Sequence, residues 1–140
     1  FHVSRRYFKR ERQGKEVILK PLGEGASIHV GDELEVQLSV SSRHMAEYVH
    51  LRDPRGAGFE PELATSRYKY DLGIGWHEEV RDSATNFFFE QLPAGEYTLK
   101  YRLRATTTGS FRVGSSTLQS MYAPEFTAYS AGNQLRIESR

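Results

Sequence analysis

The stretch "EYTLKYRLRA" alternates without a break. Tyr97, Leu99, Tyr101, Leu103 and Ala105 fall on one side, and Thr98, Lys100, Arg102 and Arg104 on the other. Successive side chains of an extended chain point to opposite faces, so this spacing predicts a long strand with one buried and one wet face. "LEVQLSV" repeats the pattern, setting Leu34, Val36, Leu38 and Val40 against Glu35, Gln37 and Ser39. "EVILKPL", "AEYVHLRD", "WHEEVRD", "TNFFFEQL", "SFRVG", "STLQSMY" and "NQLRIES" add short strand candidates, with "GEGA", "VGDE", "LPAGE", "TTTGS" and "SAGN" between them as turns. Helical spacing is hard to find. "FEPELATSRYKYDLGIG" is expected to be a long loop with a short turn after Pro61, because Gly73 and Gly75 interrupt it. About seven to nine strands with regular turns indicate an all-β, immunoglobulin-like antiparallel sandwich, its two layers about 10 Å apart.

Residues 1–16, "FHVSRRYFKRERQGKE", read as a lead-in strand or linker from a preceding domain, basic and polar enough for a hairpin edge; residues 17–140 read as one sandwich domain. A chain of 140 residues buries most of its unfolded surface without a metal or disulfide staple, and no cofactor is expected. Nineteen Lys and Arg nearly balance eighteen Asp and Glu, so no overall field would gather nucleic acid or an acidic membrane. Cysteine is absent, which removes disulfides, thiolate metal sites and a cysteine nucleophile. No apolar run approaches the roughly 18 residues that cross a bilayer. The charged start, without Met, suggests a cut piece or mature form.

No pattern of catalytic or metal-ligating residues emerges. His2, His29, His44, His50 and His77 are scattered without metal-ligand spacing. In "WHEEVRD" a strand would set His77 and Glu79 on one face and Glu78 on the other, giving a solvated face with Trp76 and Val80 partly buried. "GEGASIHVGD" lacks the order of a phosphate cradle, and no G-x-S-x-G elbow selects a serine. Lys100, Arg102 and Arg104 form a basic stripe, expected to keep the sheet soluble and to be neutralised by Glu79 or Glu90. Phe87, Phe88 and Phe89 place aromatics on both faces of one strand, so one of them must be covered by a loop, a strand or another domain. "STLQSMYAPEFTAYSAG" is aromatic and broken by Pro124, a segment suited to contact more than to chemistry.

Taken in order, "GDELEVQLSV", "EYVHLRDPRGAGFEP", "FFFEQLPAGEYTLKYRLRATTTGSFRVGSSTLQSMYAPEF" and "SAGNQLRIES" resemble the C-terminal macroglobulin-like domain of bacterial alpha-2-macroglobulins, over about residues 17–140. The resemblance implies a non-catalytic sandwich module of a large, cell-envelope or periplasmic endopeptidase inhibitor. Its partners would be other domains of the same parent chain and, indirectly, target proteases, with no membrane contact by this domain. Many such proteins carry a Cys-x-Glu-Gln thioester in a separate helical domain. In those relatives a tyrosine of this last domain lies against the thioester domain, and the matching position is Tyr122, with Met121 and Pro124 shaping its loop. The lysine-bearing receptor-binding helix of the animal proteins has no counterpart here. The bland alternative is that Met121 and Tyr122 finish a core strand and Pro124 turns the chain. A different class of reading is a carbohydrate-binding or adhesin-like sandwich, in which Trp76, Tyr68 and Tyr70 would stack on sugar rings.

Overall fold

The computed structural model describes residues 1–62, 67–71 and 73–140, without the side chains of residues 67, 68, 70 and 71. Among these are fourteen strands and no helix: β1 (His2–Gln13), β2 (Glu16–Pro21), β3 (Ser27–His29), β4 (Glu33–Ser42), β5 (Ala46–Pro54), β6 (Phe59–Pro61), β7 (Arg67–Asp71), β8 (Ile74–Val80), β9 (Ala84–Leu92), β10 (Gly95–Ala105), β11 (Gly109–Val113), β12 (Thr117–Ser120), β13 (Thr127–Tyr129) and β14 (Asn133–Glu138). One sheet runs β2-β1-β4-β10-β6 and the other β13-β12-β5-β9-β8-β7, while a small third sheet runs β11-β14-β3. The expected all-β sandwich is the fold.

Alternation dictates what fills the core. Register sets Tyr7, Val36 and Tyr101 side by side across β1, β4 and β10, and Arg5, Leu38 and Leu99 in the next row. In the opposing sheet Leu118, Leu51 and Phe87 line up across β12, β5 and β9. All three are fully buried, and each contributes about 1.5–3 kcal/mol through removal of its side chain from water. "LPAGEY" is the β9–β10 turn: Gly95 holds a φ of 145°, open to glycine, and Tyr97 Oη donates back to the Pro93 carbonyl at 3.1 Å.

Fourteen strands exceed the expected seven to nine in part because β3, β6 and β13 are three residues each, too short for alternation to be read. The long loop expected across "FEPELATSRYKYDLGIG" also needs correction, since it contains β6 and the β7–β8 hairpin. Gly73 supplies a φ of 78° at that turn, and Gly75 sits within β8 opposite Tyr70. The short turn after Pro61 falls on residues 63–66, outside the described residues.

The lead-in strand is β1, and it is interior to its sheet rather than an edge. It pairs with β2 on one side and β4 on the other, and its Val3 and Tyr7 belong to the core. The reason is the alternation of Val3, Arg5 and Tyr7, which a basic composition masks.

The expected split of β8 is observed: His77 is exposed, while Glu78 lies on the inward face with Ile74 and Trp76, 5% exposed. Lys69 from β7 pairs with its Oε2 at 2.7 Å, and Trp76 Nε1 donates to Oε1 at 3.4 Å, which makes a buried carboxylate tolerable. One basic-stripe expectation changes: Arg104 finds its partners on β4 and just beyond β6, not in Glu79 or Glu90. Arg104 pairs with Glu33 on β4 at 2.9 Å and with Glu62 beyond β6 at 2.8 Å, whereas Glu79 pairs with Arg81. Phe88, the outward ring of the phenylalanine run, is half-buried and takes its cover from a neighbouring strand, one of the expected options, stacked on His50 of β5 with centroids 4.7 Å apart.

Candidate functional site

The exposed aromatic material gathers on the β12–β13 connection and its neighbours. β12 ends at Ser120, and the chain leaves the sheet with Met121 51% and Tyr122 79% exposed. The alternative in which both residues complete a core strand is therefore overturned. Phe126 N–H donates to the Ala123 carbonyl at 2.9 Å, which closes a turn with Pro124 at its second position. Proline is suited there because its ring presets φ near −65°. Ser120 N–H donates to the Phe126 carbonyl at 3.0 Å and ties off the base of the loop. Thus Met121, Tyr122 and Pro124 come together on one short loop.

Two grooves flank this loop. One, of about 490 Å³, lies between Tyr48, Met121, Pro93, His77 and Phe88. The other, of about 530 Å³, is lined by Phe1, His44, Met45 and Phe126 among others. Met45 and Tyr48, also exposed, line these grooves beside Phe126 and Met121 of the loop. Large apolar side chains gathered in the open around two grooves suit a surface on which another surface docks. Met45 and Tyr48 were missed in the sequence, although alternation with buried Val49 and Leu51 does turn Tyr48 outward.

Tyr48 is held unusually. Its φ is 54°, the one positive value among the described non-glycine residues. An aromatic residue in this region is strained by about 1–3 kcal/mol and persists only where its surroundings enforce it. Its carbonyl accepts the Met121 N–H at 2.8 Å, and its ring meets Tyr122 edge-on, with centroids 5.1 Å apart at 75°.

A second polar constellation lies in the core. Asp53 accepts hydrogen bonds from Arg5 Nη1 and Ser116 Oγ, each at 2.7 Å, and from the Tyr101 hydroxyl. Arg5 also reaches Asn133 Oδ1 at 2.9 Å and the Gly114 carbonyl at 2.7 Å. Burial, aided by Asp53, holds the Tyr101 hydroxyl far above the ordinary phenol range. Asp53 and Ser116 are wholly buried, so the cluster ties β1, β5, β10 and the loops around β11 and β14 together and offers no surface to a substrate.

The histidines do not converge. His50 bonds Asn86 at 2.8 Å, and His29 lies 3.8 Å from Glu138. Among the described residues no group of three or more His, Asp or Glu is placed to hold a metal. Trp76, assigned to sugar stacking in the carbohydrate-binding reading, is 6% exposed and packs beside Phe89, so it cannot present a face to a ligand. The side chains of Tyr68 and Tyr70 lie outside the described residues.

The chain is thus an all-β sandwich with an internal polar tie and an exposed aromatic loop, a domain built for packing and contact. The family model of the bacterial alpha-2-macroglobulin MG10 domain matches residues 1–125, and the chain belongs to that family. Its fold is similar to Salmonella alpha-2-macroglobulin carrying a tyrosine-to-glycine substitution, at TM-score 0.75 and 20% identity over 97% of this chain and 9% of that one. Trypsin-activated alpha-2-macroglobulin from Escherichia coli is similar at TM-score 0.75 and 20% identity, over 98% of this chain and 10% of that one. A curated relative, circularly permutated Ras protein 2 of Dictyostelium discoideum, is 28% identical over 110 residues, 79% of this chain. The chain spans 3% of that relative's length.

Proposed function

We propose that this domain is a non-catalytic, C-terminal interdomain-contact module of an alpha-2-macroglobulin-type endopeptidase inhibitor at the cell envelope or in the periplasm, and that Tyr122 shields a thioester in a neighbouring domain. The observation that carries this reading is the 79% exposure of Tyr122 at the tip of a loop shaped by Pro124 and flanked by Met121. A thioester survives only where water is kept from it, and an aromatic ring is a rigid, largely apolar cover with a polar tip. Family membership and likeness to a fragment of native Escherichia coli alpha-2-macroglobulin running from domain MG7 to the C-terminus support the domain context.

The test replaces Tyr122 by Ala in the full-length parent and follows thiol release and methylamine reactivity before any protease is added. Spontaneous loss of the bond should accelerate on the order of tenfold, the factor that about 1.4 kcal/mol of lost protection produces. The stability of this domain should change by less than about 0.5 kcal/mol, as expected for an exposed side chain. A wild-type lifetime in Tyr122→Ala, or a parent without a titratable thioester, would overturn the shielding role.

A further inference from the structure

We propose that Tyr48 is a positioning residue for Tyr122, so that the latch is a braced pair of tyrosines; the inference rests on the shielding role proposed above. Tyr122 is so exposed that its own domain places few restraints on the ring, and an unrestrained ring is a poor barrier to water. Two independent features of Tyr48 act on it. The ring of Tyr48 meets that of Tyr122 edge-on at 5.1 Å, the arrangement the aromatic quadrupole favours. Its carbonyl accepts the N–H of Met121, the residue immediately before Tyr122, at 2.8 Å.

The backbone of Tyr48 shows that this arrangement is enforced. Its φ of 54° interrupts an otherwise regular strand, since Glu47 pairs with Gln91 and Val49 with Phe89 on either side. The β5–β9 ladder thus fixes both neighbours while Tyr48 alone takes the left-handed conformation. Strain held between two fixed ladder positions is a feature of sites whose geometry must be maintained. Here it sets the carbonyl and ring that meet the Met121–Tyr122 segment.

The experiment uses the full-length parent with Tyr48→Ala, Tyr48→Gly, Tyr48→Phe, Tyr122→Ala and the double variant Tyr48→Ala/Tyr122→Ala. It reads thioester lifetime in methylamine and amide hydrogen exchange across residues 121–126. Tyr48→Ala and Tyr48→Gly should each shorten the lifetime and speed exchange on the order of three- to tenfold, the range an aromatic pair allows. Glycine adopts a positive φ freely, so agreement between these two variants assigns the effect to the ring rather than to strain or misfolding. Tyr48→Phe should match wild type in both readouts, because the edge contact does not need the hydroxyl. The double variant should lose the bond no faster than Tyr122→Ala, the non-additivity of two groups acting as one. Unchanged lifetime and exchange in both ringless variants, with Tyr122→Ala still accelerating loss, would overturn the role of Tyr48 alone. If Tyr122→Ala left the lifetime unchanged, the shielding role would fall. Exchange would then decide the bracing by itself: faster in the ringless variants supports it, and wild-type rates overturn it.

Discussion

Arg5 on β1 and Asp53 on β5 form an ion pair across the sandwich, Nη1 2.7 Å from Oδ1, with neither side chain exposed. A buried pair is maintained only when the remaining polar atoms are also satisfied, as they are here through Ser116, Tyr101, Asn133 and the Gly114 carbonyl. The pair joins the two large sheets at a point where apolar residues would otherwise meet. It also accounts for the inward position of Arg5 within the basic segment "RRYFKR".

Removing one partner should be far worse than removing both. Asp53→Ala leaves the Arg5 guanidinium buried and uncompensated, and is expected to cost about 3–5 kcal/mol. Arg5→Met combined with Asp53→Leu should recover much of that loss. Urea unfolding midpoints of the three proteins check this, and equal midpoints for the single and double variants would refute it.

Alkaline pH should unfold the domain through Tyr7 and Tyr101. Burial is the main cause raising both hydroxyls above their ordinary value, opposed by Arg5 and aided by Asp53. The unfolded chain therefore loses these protons first, from about pH 10 upward, while the folded chain keeps them. Stability is fully present below that pH and falls above it, by about 1.4 kcal/mol per pH unit for each tyrosine until the folded groups titrate. Phenolate absorbance should rise for these two rings only as the chain unfolds, and unfolding curves from neutral to alkaline pH give the slope.

Gly58 should not tolerate a methyl group. A Cβ there would sit 2.5 Å from Phe111 Cε2 and 2.8 Å from Ile137 Cδ1, while the Gly58 carbonyl accepts the Thr106 N–H at 2.8 Å. Gly58→Ala must displace a ring packed on the core or break this tie, at about 1–3 kcal/mol. Thermal unfolding reads the loss, and Phe111→Ala/Gly58→Ala should lose less than the sum of the two single changes.

The same residues show how far a sequence can be read. Leu34, Val36, Leu38 and Val40 could be placed on a buried face because side-chain direction in a strand is local, set by the pleat alone. The "MYAPEF" loop was legible in its turn, since Pro124 fixes its own φ, and in its contact character, but not in where the strand before it stops. β12 ends at Ser120. Glu78 was placed on the side of β8 opposite His77 and with Trp76, yet the partner that makes its burial tolerable, Lys69, came only with the pairing of β7.

The sequence by itself determined an all-β sandwich, the alternation of its long strands and the contact character of one loop, all consequences of short-range geometry. Only the tertiary structure decided that Arg5 turns inward to Asp53 and that Tyr48 meets Tyr122. Both pairings join segments far apart in the chain, and their geometry follows from strand register and sheet packing, which no local pattern encodes.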